Sequence, residues 1–149
     1  MLIRQMTARD IDRAYEIACR SLEESYAKDV LLYFMSQWPA GQLVAVSRTG
    51  DIVGFISGAR LTTDKVSIQL FAVEHEYRNA GVGSRLIDEF KAQTVIDGKH
   101  YIQLEMRCAD TYAASFYKNK GFSIIEHLKG FYSDGGDATR MMCDIKRDT

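Results

Sequence analysis

The sequence predicts an α/β (α+β) fold: one domain on a mixed, mostly antiparallel sheet of about seven strands, flanked by about four helices. Three observations predict it. The 149 residues run without a repeat, a low-complexity tract or a linker, so 1–149 reads as one domain long enough to bury a core. Segments 42–48, 52–61 and 65–73 are rich in strand formers and separated by short turns, which gives antiparallel strands in succession. From 65 to 107 a strand, a glycine-bearing loop, a helix and a second strand succeed one another. Such a unit needs a crossover, so its two strands are parallel within an otherwise antiparallel sheet.

Each element has its own signal. Residues 2–5 form a short first strand. Thr7 caps a helix, with Asp10 three residues on as its capping-box partner. Ile11, Ala14, Tyr15, Ala18 and Leu22 recur at helical spacing and carry that helix to about Ser21. A second helix spans 28–37 and is stopped by Pro39, the single proline. Thr49-Gly50-Asp51 is turn chemistry. Gly54 and Gly58 mark points where another backbone approaches the strand 52–61. In 65–73, Val66, Ile68, Leu70 and Ala72 are expected on one face, with Ser67, Gln69 and Phe71 on the other. The helix after Gly81 and Gly83 carries Leu86, Ile87, Phe90 and Val95 and closes at Gly98. Segment 101–107 is a strand with Ile102, Leu104 and Met106 on one face. Asp110 caps a helix that runs through Tyr117 and is ended by Gly121. Strands 122–129 and 138–145 complete the chain around a polar, glycine-rich connection.

Composition narrows the function classes. The hydrophobic fraction is 46% and the charged fraction 26%, ordinary for a soluble globular protein. A formal net charge of -1 leaves no electrostatic footprint for nucleic acid or an anionic membrane, so neither is expected as a partner. No apolar run reaches transmembrane length, and the first twelve residues are charged and patterned unlike a secretory signal. The expected location is the cytoplasm. Cys19, Cys108 and Cys143 are odd in number and widely spaced, which suits neither a disulfide framework nor a zinc site. His75, His100 and His127 are scattered, so no metal is expected.

The sharpest local feature is Tyr77-Arg78-Asn79-Ala80-Gly81-Val82-Gly83-Ser84, between a predicted strand and a predicted helix. A helix N-terminus leaves backbone N–H groups unpaired and attracts phosphate. The glycines let main chain approach a ligand without a Cβ in the way, and Arg78 adds a charge-assisted contact. The segment reads as a diphosphate cradle; a plain strand-to-helix turn fits the same letters. A P-loop would need a lysine before Ser84, and a dinucleotide fold would not be preceded by several antiparallel strands.

With these segments in place, nearly the whole chain resembles the GNAT superfamily of N-acetyltransferases. Leu70-Phe71-Ala72-Val73 looks like that family's splayed strand, Arg78 to Ser84 like its diphosphate loop, and Leu104-Glu105-Met106-Arg107 with Phe116-Tyr117 and Gly121-Phe122 like its later strand and helix. The resemblance implies acetyl-CoA as co-substrate and no metal. It implies that Phe71, Ala72, Val73, Arg78, Asn79, Ala80, Gly81, Val82, Gly83, Ser84, Asp110 and Tyr117 hold the cofactor, with a strand amide polarising the thioester carbonyl. A narrower likeness is to the protein N-terminal (N-alpha) acetyltransferases, the RimI-like group and its archaeal relatives. It rests on Leu104 to Arg107 with Ala113 and Phe116-Tyr117, on Leu22-Glu23-Glu24-Ser25-Tyr26, and on Phe131-Tyr132-Ser133-Asp134-Gly135-Gly136-Asp137-Ala138. Four positions depart from that pattern. Glu23 and His75 replace common prolines, Phe131 replaces a tyrosine and loses its hydroxyl, and Asp110 replaces asparagine, either binding the pantetheine less well or simply capping its helix.

The implied reaction is acyl transfer from a thioester to the α-amine of a protein N-terminus, by direct attack in a ternary complex. A carboxylate base, a thiol-protonating acid and an amide facing the oxyanion would serve it. Glu105 is the first candidate base, acting through water, and Glu24 the second; an ion pair with Arg107 or another strand, and a solvated loop charge, are their structural alternatives. Tyr117 is the candidate acid toward sulfur, with core packing as its alternative. Tyr26, Phe131 and Tyr132 are candidates to bind the peptide. Arg85 and Lys91 are expected in solvent. Cys108 has no histidine beside it in sequence, so direct transfer is preferred to an acetyl-cysteine. A small-molecule or lysine acetyltransferase and a non-catalytic acetyl-CoA sensor stand as alternatives; monomer and homodimer are both open.

Overall fold

Residues 1–22 and 28–146 are described in the computed structural model of the chain. The strands are β1 (Leu2–Gln5), β2 (Gln42–Val46), β3 (Ile52–Arg60), β4 (Lys65–Val73), β5 (Tyr101–Arg107), β6 (Ser123–Leu128) and β7 (Ala138–Asp144). The helices are α1 (Ile11–Ser21), α2 (Lys28–Gln37), α3 (Val82–Ile96) and α4 (Thr111–Asn119). Their order along the chain is the predicted one. Thr7 sits ahead of a 3-10 turn, Ala8–Asp10, that leads into α1. The buried Asp10 carboxylate accepts from Thr7 N at 2.7 Å and pairs with Arg4 at 2.7 Å, closing the capping box. Pro39 opens a second 3-10 turn rather than simply ending α2.

Seven strands form one sheet in the order β1-β2-β3-β4-β5-β7-β6. Among the described residues only β4 and β5 pair in parallel. Apolar side chains leave both faces, so there are two cores. On one face α1 and α2 bury Ile11, Ala14, Ile17, Ala18 and Leu31 against Val44, Phe55, Leu70 and Ala72. On the other, Val82, Leu86, Ile87 and Phe90 of α3 pack against Val66, Ile68, Ile102, Leu104 and Met141, with Phe116 and Tyr117 of α4 beside them. Among the described residues no helix is long and apolar enough to cross a membrane.

The structure corrects three expectations. First, β4 does not keep one face from Val66 to Ala72. Ser57 pairs with Leu70 but Gly58 with Ile68, so Gln69 is an extra residue, a β-bulge. Val66 and Ile68 therefore face α3, Leu70 and Ala72 face α1, and Phe71 and Val73 turn to the α3 side. Second, Val95 is 54% exposed, and the buried place one residue earlier belongs to Thr94, whose hydroxyl returns to Phe90 O at 2.8 Å. Third, what comes close at Gly58 is a ring, not a backbone: a Cβ there would lie 2.4 Å from Phe90. At Gly54 a Cβ would stand 3.2 Å from Ala72 O, a backbone atom as expected, and 3.3 Å from Leu86.

A bulge bends its strand and raises its twist, so β4 turns away from its neighbour past Gln69. β4 and β5 are paired only from Lys65–Tyr101 to Ser67–Gln103. Beyond that β4 stays with β3 as far as Val73, while β5 stays with β7 as far as Arg107. The two parallel strands part, and a gap opens toward their C-terminal ends.

Candidate active site

The helices after the parted strands begin at that same end, so the N-termini of α3 and α4 converge on the gap. In the loop after β4, Arg78 is extended (φ -70, ψ 151) and its Nε donates to Val73 O at 3.1 Å. Asn79 (φ 62) and Gly81 (φ 81) are both left-handed. Gly81 is the N-cap of α3 and carries no side-chain cap, so the first-turn amides of the helix have neither an intrahelical nor a capping acceptor. Ala80 is exposed and Val82 buried, which leaves the Val82 amide, not its side chain, for a ligand.

α4 runs beside α3 in matched steps of one turn. Tyr112 Oη donates to Asn79 Oδ1 at 2.7 Å. The Phe116 ring lies 3.4 Å from where a Gly83 Cβ would stand, and the Phe71 ring 3.3 Å from it, so α4 and β4 both pack closely on α3 at this glycine. Lys120 Nζ donates to Ser84 Oγ at 2.9 Å and pairs with Asp88 at 2.6 Å. Asp110 Oδ1 accepts from Ala113 N at 2.9 Å and caps α4.

Tyr117 is half-buried in an aromatic cluster, its ring centroid 5.4 Å from Phe116, 5.6 Å from Phe122 and 6.3 Å from Phe71. Both Phe116 and Tyr117 face the core side, which the sequence left open. Burial pushes the Tyr117 phenol well above its ordinary value, and the nearby Asp110 and Tyr132 push it further. The group keeps its proton at neutral pH and can act as a donor.

Across the sheet, Gln103, Glu105 and Arg107 alternate with the buried Ile102, Leu104 and Met106 and so face the α1 side. Of the two structural alternatives for Glu105, an ion pair with Arg107 or with another strand, the second forms: its partner is Arg140 of β7. Glu105 Oε2 accepts from Arg140 Nε at 2.9 Å and from Gln103 Nε2 at 3.1 Å, and Arg140 Nη1 also reaches Glu126 at 2.7 Å. The carboxylates, Glu105 foremost, raise the Arg140 guanidinium above its ordinary value. Arg107 instead pairs with Asp134 at 3.1 Å and lies 4.2 Å over the Tyr132 ring.

Those contacts explain the segment 131–138. Asp134 Oδ1 accepts from Gly136 N at 2.9 Å, and that bond, with Arg107, holds its carboxyl below the usual range. Asp137 Oδ1 accepts from Gly130 N at 2.9 Å. Gly135 is left-handed (φ 87), and a Cβ at Gly136 would lie 2.5 Å from Arg107 Nη1. Aspartates and glycines thus fold the loop so that Tyr132 rests on Arg107 while Phe131, edge-on to Tyr132 at 5.1 Å, is 47% exposed.

Glu24 and Tyr26, with Glu23, lie outside the described residues. α1, which leads to them, is tied to the end of β4: the buried Glu74 accepts from Arg20 at 2.7 Å and pairs with Arg13 at 3.3 Å. Arg85 is exposed, as expected, and donates to Met1 O at 2.9 Å, whereas Lys91, also expected in solvent, is partly buried and donates to Lys120 O. Cys108 has no histidine nearby in sequence, yet the fold brings His127 Nδ1 to 3.8 Å and Thr139 Oγ1 to 3.0 Å of its sulfur. That thiol is on the Met106 side of β5, opposite Glu105. Sequence reasoning missed Tyr112, Lys120 and Arg140. The four-residue spacing of 112, 116 and 120 was a readable signal for the first two; Arg140 depends on strand register.

The sequence profile of the acetyltransferase (GNAT) family matches residues 11–122, from the start of α1 to the end of the aromatic cluster. An uncharacterized N-acetyltransferase of Methanocaldococcus jannaschii is 32% identical over 95% of this chain and 90% of its own length. N-alpha-acetyltransferase 30 of Schizosaccharomyces pombe is 32% identical over 81% of this chain and 83% of its own. The crystal structure of Ard1 from Thermoplasma volcanium superimposes with a TM-score of 0.92 at 35% identity, covering 96% of each chain. Parted parallel strands, an uncapped glycine-bearing helix start and agreement across the chain lead to one assignment: this protein belongs to the acetyltransferase (GNAT) family.

Proposed function

We propose that the protein transfers the acetyl group of acetyl-CoA directly to the α-amine of protein N-termini. The parting of β4 from β5 carries this reading. It leaves a slot with Tyr117 on its α3–α4 side and Glu105 on its α1 side, beside the 131–138 loop. In this reading the amides of 78–84 receive the diphosphate, with Arg78 adding charge. The main chain at Phe71, Ala72 and Val73 holds the pantetheine arm, and one of its amides faces the thioester oxygen as charge gathers there. Asp110 keeps Oδ1 for the helix cap and offers its other oxygen to an amide of the arm.

The α-amine is suited to this site. Its reference pKa is about 7.7–8.0, so much of it is already neutral near physiological pH, whereas a lysine amine near 10.4 is not. Glu105 takes the ammonium proton through water and passes it to solvent, the nitrogen attacks the carbonyl carbon, the C–S bond breaks and the Tyr117 phenol protonates the departing thiolate; the second proton of the nitrogen, released as the amide forms, returns through water to the Tyr117 phenolate. Glu24 is the second candidate base, and Tyr26, Phe131 and Tyr132 line the peptide's path. The name of the S. pombe relative supports the N-terminal assignment. Cys19, Cys108 and Cys143 form no disulfide among the described residues, which suits a reducing compartment, the cytoplasm.

The test is a peptide panel with acetyl-CoA and pure protein. Lysine-free peptides with free N-termini should be acetylated with equimolar thiol release. Transfer only to a lysine in a peptide with a blocked N-terminus would overturn the N-terminal assignment. Coenzyme A binding without turnover on any amine would overturn the enzyme.

A further inference from the structure

Among the described residues Asn79 is the one non-glycine with positive φ, and it stands in the loop between Arg78 and Gly81. An L-residue pays for that conformation, though asparagine tolerates it best. Successive amides around a left-handed residue form a concave nest for anions, and an extended residue at 79 would turn its neighbours' N–H groups away. The bond that reaches Asn79 comes from 33 residues downstream: Tyr112 Oη, in the first turn of α4, donates to Asn79 Oδ1 at 2.7 Å. The donor is well anchored, because Phe116 and Lys120 one and two turns on hold α4 against Gly83 and Ser84. The Tyr112 ring is 63% exposed, so it contributes little to the core.

We infer that Tyr112 is a positioning residue for the diphosphate of coenzyme A, acting as a latch that holds Asn79 left-handed and the loop amides turned to the ligand. The inference rests on the acetyl-CoA reading of the loop and adds a residue that reading does not use. A neutral hydrogen bond of this kind shifts an equilibrium by roughly two- to tenfold.

Tyr112→Phe removes the hydroxyl and leaves the ring. Calorimetry with coenzyme A should then give a Kd raised about two- to tenfold. The KM for acetyl-CoA should rise with it, while the peptide KM and kcat at saturating acetyl-CoA stay within about twofold and Tm is unchanged. An unchanged Kd would overturn the latch. So would tighter binding, which would make the hydroxyl a barrier to entry, and so would a comparable rise in the peptide KM, which would make it a general support of α4. Wild-type protein that does not bind coenzyme A would overturn the acetyl-CoA reading and the latch with it.

Discussion

Tyr117 and Glu105, the proposed acid and base, show how burial and register set the surroundings of ordinary side chains. The Tyr117 phenol is raised by burial among Phe71, Phe116 and Phe122, with Asp110 and Tyr132 adding to it. Tyr117→Phe should lower kcat about 100-fold or more if the phenol is the acid, with the Kd for coenzyme A nearly constant; an unchanged kcat would remove it from the mechanism. The same shift fixes a stability effect. In the unfolded chain the phenol ionises near pH 10, and in the folded chain only above that. Between those values the unfolded state holds fewer protons, so stability falls as pH rises; below about pH 10 both states are protonated and the group contributes nothing. Thermal unfolding from pH 8 to 11 should therefore show a steeper alkaline loss for wild type than for Tyr117→Phe. The residue types at this site were legible in the sequence; their partners were not. Glu105 meets Arg140 because β5 and β7 pair in one particular register across 35 residues, which no local pattern encodes.

At the scale of elements, legibility depended on punctuation. α2 and β5 have the boundaries the sequence predicts because Pro39 and Gly98 supply strong stops or turns beside them. β4 was misread for a physical reason. The extra residue, Gln69, is polar and exposed, so it fills the polar slot of an apparently regular Val66-Ser67-Ile68-Gln69-Leu70 alternation, and the bulge stayed hidden. Its partner shows how close the packing is. Gly58 sits opposite Ile68 at the bulge, under Phe90, which is T-shaped to Trp38 at 5.5 Å. A methyl there would stand 2.4 Å from the fully buried Phe90 ring and 3.0 Å from Trp38, so neither ring has room to yield. Gly58→Ala should cost about 1–3 kcal/mol, read as a lowered Tm. An unchanged Tm would mean that Phe90 can move and that the bulge is not held by this contact.

The molecule as a whole is a sheet nearly divided in two. The strands β1 to β4 form one half and β5, β7 and β6 the other, joined within the sheet by only three register pairs. The succession of strands and helices, and even the parallel pair, were legible because the crossover demands them. The parting was not, since it depends on where two strands far apart in the chain stop pairing. A ligand arm laid in that gap would give the open strand edges partners and bind both halves, so its effect on stability should be local as well as global. At a free coenzyme A concentration of about 100 times Kd the folded state gains about 2.7 kcal/mol. For a chain of this length that raises Tm by roughly 5–10 °C. Hydrogen exchange should slow most in peptides covering 68–73 and 104–107, the facing edges beyond the last register pair, and in the loop 78–84. The β1–β2 pair, far from the gap, should gain protection only through the global increase in stability. Protection confined to 78–84, with none at the strand edges, would show that only the diphosphate end is held and that the gap is not the pantetheine path.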